Sequence, residues 1–250
     1  MDWDARPDKD RLKSRLTMPE NKRAAVPVSV DEAHREEAEG DLLRQLQAGL
    51  DTLGLPLADA QQDALMQYLA ILIRWNDVYN LTAVRDPRKM LALHLLDSLS
   101  IVDIVGHCGG TKVLDVGSGA GLPGIPLAIA LPRYHFHLID AVAKKVSFLL
   151  QAKTWIKLSN IQPQHVRVEA LTLDSLPAVV VSRAYADLSR MVRSIAHLVD
   201  RSTTVIAMKG ATPSEEIAAL PKPWQVVDLR RLDVPFLAAQ RCAVVLRRAS

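Results

Sequence analysis

The sequence predicts an α/β fold: a doubly wound, mostly parallel sheet of seven strands preceded by a cap of helices. Three observations predict it. From residue 112 onward, strand-length apolar runs alternate with helical stretches, the pattern of βαβ units on a parallel sheet. The first run, Val113-Leu114-Asp115-Val116, leads into Gly117-Ser118-Gly119-Ala120-Gly121, a glycine turn before a helix, which is how a nucleotide-binding sheet opens. Near the other end, strand-like stretches at 224–232 and 241–248 have no good helix between them, so they pair like a hairpin and give one antiparallel strand.

Taken in order, residues 1–30 mix charges of both signs with Pro7, Pro19 and Pro27 and few large apolar side chains, the composition of a disordered extension. Residues 31–106 form the helical cap. Asp31 to Gly40 suits the start of a charged helix, and from Asp41 the leucines 42, 43, 46, 50 and 53 recur at helical spacing until Gly54 and Pro56 stop them. Asp59 to Tyr79 is a second amphipathic helix and Met90 to Val105 a third, with His94 read as a structural residue. None of the three has catalytic spacing. Residues 107–250 form the sheet domain, with the first strand at 113–116 and then helix 123–131, strand 135–140, helix 143–156, strands 164–168 and 178–182, helix 187–198, strand 203–208, helix 214–220 and the terminal pair. The helix after the glycine turn starts near Pro123, with free N–H groups aimed at a ligand. No internal repeat or low-complexity segment appears.

The spacing of the glycines narrows the ligand. A dinucleotide fingerprint needs G-x-G-x-x-G/A, and counting from Gly117 puts Leu122 where the third small residue belongs. Asp115, two residues before the first glycine, repels a pyrophosphate but accepts hydrogen bonds from an ammonium group or its waters. S-adenosylmethionine carries such an ammonium and no phosphate. Asp140 ends the next strand, close to where α/β nucleotide sites hold ribose hydroxyls. Val168 and Glu169 follow the third strand and fall where an adenine edge is read, with Leu122 able to cover the adenine face. Glu169 serves equally well as the first residue of a helix.

The fourth strand ends in Val181-Ser182-Arg183-Ala184 and the fifth in Lys209-Gly210, which places two cations at the ligand edge. Arg183 suits a phosphate, a cofactor carboxylate or the acceptor. Lys144 and Lys145 open the helix after Asp140, with Arg133 and Arg167 in neighbouring turns or strand ends; each taken singly reads as ordinary solvated charge, and their repeated placement at one edge predicts an RNA-facing surface. Absences narrow the chemistry. Adenine amino methylation usually needs an Asn/Asp-Pro-Pro-aromatic turn after the fourth strand, where this chain has Ser182-Arg183-Ala184-Tyr185. Methylation at pyrimidine C5 needs a cysteine nucleophile, and neither Cys108 nor Cys242 is well placed. A ring nitrogen such as guanine N7 has an exposed lone pair and no proton to lose, so its enzyme needs alignment and electrostatics more than a general base.

Bulk properties agree. The chain has 250 residues, 49% hydrophobic and 24% charged, enough for a full core. Its formal net charge of +3 permits a polyanionic partner without demanding one. Two cysteines give neither a disulfide framework nor a zinc set, so no metal is expected. With no apolar run long enough for a membrane span and no leader, the expected location is the cytoplasm. No self-complementary apolar stripe stands out, and a monomer is expected.

From about residue 41 to 248 the sequence resembles the ribosomal RNA small-subunit methyltransferase G family, also called glucose-inhibited division protein B. The resemblance rests on Trp75-Asn76-Asp77-Val78-Tyr79-Asn80-Leu81-Thr82, His94-Leu95-Leu96-Asp97-Ser98, Asp115 through Pro126, Ser182-Arg183-Ala184 and Lys209-Gly210. It implies a Rossmann-like class I methyltransferase fold, S-adenosylmethionine as donor, and N7 methylation of the guanine at position 527 of 16S ribosomal RNA, with the rRNA or small ribosomal subunit as partner. It also implies cofactor contacts at Gly117, Leu122, Asp140, Val168, Glu169 and Arg183. To these the residue pattern adds Asp115, Gly119 and Gly121. Arg183 and Lys209 are expected to position the reactants, and Lys144, Lys145, Arg183 and Lys209 to contact RNA. The charged segment before residue 41 and Ala238-Ala239-Gln240 depart from the family pattern. Other readings are a small-molecule methyltransferase, a non-catalytic RNA-binding protein on a Rossmann-like scaffold and, with Leu122 against it, a nicotinamide oxidoreductase.

Overall fold

The computed structural model describes residues 28–249. The extension expected at 1–30 lies outside them except for its last three residues, which are the first turn of helix α1 (Val28–Leu53). Helix α2 (Asp59–Tyr79) follows after Gly54, whose φ of +64° lets the chain leave α1 through a left-handed residue. The expected third helix is broken. Asp86 caps the short α3 (Pro87–Met90), which widens into a π-helical turn (Leu91–Leu96), narrows again as α4 (Asp97–Leu99) and, after a turn, resumes as α5 (Val102–Gly106). Helical periodicity in the sequence does not distinguish an α turn from a π turn, and such turns gather at functional sites.

The sheet runs β1 (Lys112–Val116), β2 (His135–Asp140), β3 (Ile161–His165), β4 (Val179–Arg183), β5 (Thr204–Lys209), β6 (Trp224–Arg231) and β7 (Cys242–Arg248). Its spatial order is β3-β2-β1-β4-β5-β7-β6, with every pairing parallel except the two made by β7. The last strand therefore inserts between β5 and β6, and β6 becomes the edge. Between the strands stand α6 (Gly124–Ala130), α7 (Ala143–Ile156), α8 (Leu188–Ser194) and α9 (Ser214–Ala218). Two boundaries move. The third strand begins at Ile161 rather than 164, because Phe136 to Asp140 pair with Ile161 to His165 and carry the register upstream. The helix expected to reach 198 ends at Ser194, and Ala196–Leu198 forms a separate 3-10 turn.

Period-two alternation divides the core between the two faces of the sheet. Val113, Phe136, Leu138, Val179, Val181 and Ile206 pack with Leu65, Leu69, Leu72, Leu91 and Leu95 of the cap and with Phe148 of α7. Leu114, Val116, Ile139, Val180 and Val205 pack on the other side with Leu188, Met191 and Val192 of α8. Cap and sheet thus share one apolar cluster, and residues 39–250 form one compact unit. The strand order reverses at β1 and β4, and a crevice at the carboxyl ends of those strands is the usual ligand site of such a sheet.

Candidate active site

The glycine turn is built from the strand outward. Gly117 and Ser118 both donate to the Ile139 carbonyl at 3.0 Å, which hangs the turn on the end of β2. Gly117 has φ +70° and no room for a side chain, since a Cβ there would stand 2.7 Å from the Tyr185 ring. Gly119 donates its N–H to Asp140 Oδ2 at 2.9 Å, and Val142 donates to Asp140 Oδ1 at 2.8 Å. One carboxylate therefore clamps the glycine turn to the start of α7. Lys145 Nζ lies 3.7 Å from the same Oδ2. Asp140, Gly117, Val168, Glu169, Lys145 and Tyr185 line a cavity of about 270 Å³ over the carboxyl ends of β1 and β2.

Asp115 sits behind this turn with no exposed surface. Its Oδ2 accepts the Gly124 N–H at 3.0 Å, at the start of α6, while Oδ1 has no hydrogen-bond partner among the described residues. Burial pushes its carboxyl up to about 7, against partial relief from the Gly124 N–H, Ser118 and the Arg183 charge. Between the ordinary 3.8 and about 7 the folded protein holds this proton more tightly than the unfolded chain, so stability falls as pH rises through that window. Asp115→Asn keeps an acceptor for Gly124 and removes the titration. Its melting temperature relative to the parent protein should therefore climb between about pH 4 and 7 and level off above, which thermal melts across that range will check.

A second cavity, of about 460 Å³, adjoins the first at Ala184 and is lined by Leu93, His94, Asp97, Arg183, Met208, Lys209 and Arg241 among others. Arg183 Nη1 donates to the Leu93 carbonyl of the π turn at 2.9 Å and to Asp97 Oδ2 at 2.8 Å. Arg241 Nε approaches Asp97 Oδ1 to 3.2 Å without hydrogen-bond alignment. Asp97 is thus buried between two guanidinium groups. His94 Nε2 is 2.9 Å from Thr82 Oγ1, and burial with the Arg183 charge lowers its pKa to about 4, so the ring is neutral at neutral pH. The 80–86 loop that brings Thr82 there is pinned by buried Asn76, which donates to the Val84 carbonyl and accepts from the Thr82 N–H. Tyr68, fully buried with its hydroxyl pKa pushed up by burial, donates to the Ala120 carbonyl at 2.5 Å and ties the cap to the glycine turn.

The structure brings Gly117, Asp140, Val168 and Glu169 together as expected and moves others. Leu122 is packed in the core beside Ile125 rather than over the cavity, so Ile139, Val168 and Tyr185 supply the apolar walls. Gly121 also faces inward, where a Cβ would stand 2.7 Å from Ile125 Cγ1. Lys145, expected at RNA, lies in the first cavity beside Asp140. Lys144 donates to the Tyr79 carbonyl at 3.3 Å. Lys209 lines the second cavity but already pairs with Glu216 at 2.7 Å and donates to the Ala186 carbonyl. Arg183 lines the second cavity and not the first. Sequence reasoning missed Tyr185, Asp97 as partner of Arg183, and Arg241. Tyr185 stood in the quoted strand-end stretch, whereas Arg241 gave no local signal because it reaches the site from the far end of the chain.

The doubly wound sheet, with these two adjoining cavities at its switch point, has the Rossmann-like class I methyltransferase fold. Solved structures share the fold: magnesium protoporphyrin IX methyltransferase from Synechocystis PCC 6803 with bound SAM is 16% identical at a TM-score of 0.50, over 73% of this chain and 97% of that one. The mitomycin 7-O-methyltransferase is 15% identical at 0.51, over 77% and 69%. The family model for rRNA small subunit methyltransferase G matches residues 61–245. Relatives of that name include one from Burkholderia pseudomallei, 50% identical over 78% of this chain and 87% of its own length, and one from Nitrosospira multiformis, 43% identical over 82% and 97%. This chain belongs to the rRNA small subunit methyltransferase G family.

Proposed function

We propose that this protein methylates N7 of a guanine in small-subunit ribosomal RNA, the base at position 527 of 16S rRNA, acting as a monomer in the cytoplasm. The observation that carries the reading is the family match over 61–245, which spans every lining residue of both adjoining cavities. The first cavity fits the cofactor. Asp140 spends two acceptor sites on backbone N–H groups and keeps others for ribose hydroxyls. Val168 and Glu169 stand at the adenine end, and Gly117 and Gly119 allow close approach of the methionine part. The partnerless Asp115 Oδ1 supplies negative potential for an ammonium, whose charge in turn favours the ionised carboxylate.

When bound, S-adenosylmethionine supplies an electrophilic methyl group on a sulfonium sulfur. The chain's own residues provide the rest. Neutral His94 and the buried Asp97 hold the floor of the second cavity, and Arg183 presents a fixed cation where the two cavities meet. Such an arrangement orients a purine without moving a proton, which is what a ring nitrogen requires. Leu93 and Met208 give the cavity apolar lining for the base.

Small subunits purified from a strain lacking this activity, incubated with the protein and radiolabelled S-adenosylmethionine, should acquire label on N7 of one guanine of the small-subunit rRNA. Transfer should weaken steeply as salt rises, as phosphate-dependent binding does. Label on an exocyclic amine or a carbon overturns the N7 reading. Turnover of a small acceptor without rRNA, insensitive to salt, favours the small-molecule alternative instead.

A further inference from the structure

A third cavity continues the edge beyond the second one and shares Gly210 and Arg241 with it. Its other walls include Thr212, Arg231 and Gln240, and among the described residues no carboxylate lines it. The strand register puts it in line with the chemistry. Arg231 of β6 and Lys209 of β5 both lie opposite Cys242 of β7, so two cationic strand ends flank the start of β7, which Arg241 immediately precedes. β5 and β6 are two strand spacings apart, about 10 Å.

Resting on the reading above, we propose that this third cavity seats the ribose-phosphate of the nucleotide next to the methylated guanine, with Arg231 as its phosphate contact and Thr212 and Gln240 offering hydrogen bonds. Three considerations lead there. A base presented to an enzyme for chemistry is turned out of its stack, so its neighbours must pass outside the acceptor cavity. On one side the cofactor cavity fills the edge, leaving the β5-β7-β6 side for the strand to leave by. Arg231 is also available: its partner is Asp233 at 3.1 Å, and both side chains are more than 80% exposed, a kind of pair that holds its members weakly. Arg230, its neighbour, is instead engaged by Asp103 and Asp228.

The test compares Arg231→Glu with Arg201→Glu. Arg201 is exposed at the opposite, amino-terminal edge of the sheet, so its reversal changes net charge equally without touching the cavity. Methyl transfer to small subunits is measured against subunit concentration and salt, alongside calorimetric S-adenosylmethionine affinity. Arg231→Glu should raise KM for the subunit roughly tenfold, leave kcat and cofactor affinity at parental values, and reduce the salt slope by about one counterion. Arg231→Lys should recover most of the affinity, and Arg201→Glu should change KM less than twofold. Equal effects of the two reversals, or no effect of Arg231→Glu on KM while the parent protein methylates normally, overturn the subsite. A parent protein that fails to methylate small subunits overturns the functional reading itself.

Discussion

Arg183→Ala should lose methyl transfer and stability together, and the two losses should separate on a second substitution. Removing one partner of a buried ion pair strands the other, which costs about 3–5 kcal/mol. Here Asp97 is 3% exposed and would lose its 2.8 Å partner, yet Arg241 remains within 3.2 Å of its other oxygen. The cost should therefore fall near the bottom of that range, about 3 kcal/mol. Activity should fall by about a hundredfold to a thousandfold, the scale for deleting one preorganised electrostatic contact in a reaction site. Replacing both partners, Arg183→Met with Asp97→Leu, removes the buried carboxylate along with its first cation, and Arg241, whose side chain is 23% exposed, keeps access to water, so the melting temperature should move back toward the parental value. Activity should stay lost, because the cation at the junction of the cavities is still missing. Thermal melts and initial rates on the same three preparations decide it. Recovery of activity along with stability would reduce Arg183 to a structural brace.

The legibility of this site in the sequence was uneven for physical reasons. Glycines 117 and 119, Asp140 and the Val168-Glu169 pair were visible because each lies at or just after its own strand end, a local property marked by a strand-length run followed by a break. Leu122 misled for the opposite reason: counting positions locates a residue along the turn but not which side of it the side chain takes, and this one turns into the core with Ile125. Lys145 was legible as a cation and not as a neighbour of Asp140, since its position depends on how α7 leaves the strand. The acceptor side was least visible. Asp97, Arg183 and Arg241 come from α4, β4 and the residue before β7, and they meet only because β7 inserts next to β5. The Trp75 to Thr82 motif was recognisable without an evident purpose. In the folded chain Asn76 pins the loop that brings Thr82 to His94, so the motif serves the acceptor cavity from a distance.

The same separation of bracing from binding governs Asp140, where the larger effect on the cofactor is expected. A carboxylate offers about four acceptor positions, and two are occupied by Gly119 and Val142, so the positions left at the rim of the first cavity are what ribose hydroxyls can use. Two charge-assisted hydrogen bonds at about 1.5 kcal/mol or more each amount to about 3 kcal/mol, or roughly a hundredfold in Kd. Asp140→Ala should therefore weaken S-adenosylmethionine binding by at least that factor, with a further loss because the glycine turn is released from α7. Asp140→Asn retains one carbonyl acceptor and turns the other position into a donor, which faces a backbone N–H on one side or the ligand on the other. It should fall between, near tenfold. Adenosylhomocysteine shares the ribose, so it should lose affinity in parallel, whereas a contact to the sulfonium would spare it. Calorimetric titration of both ligands against the parent protein and the two variants, each first shown to melt cooperatively, measures this. Parental affinity in a folded Asp140→Ala protein would place the ribose elsewhere and remove the basis for assigning the first cavity to the cofactor.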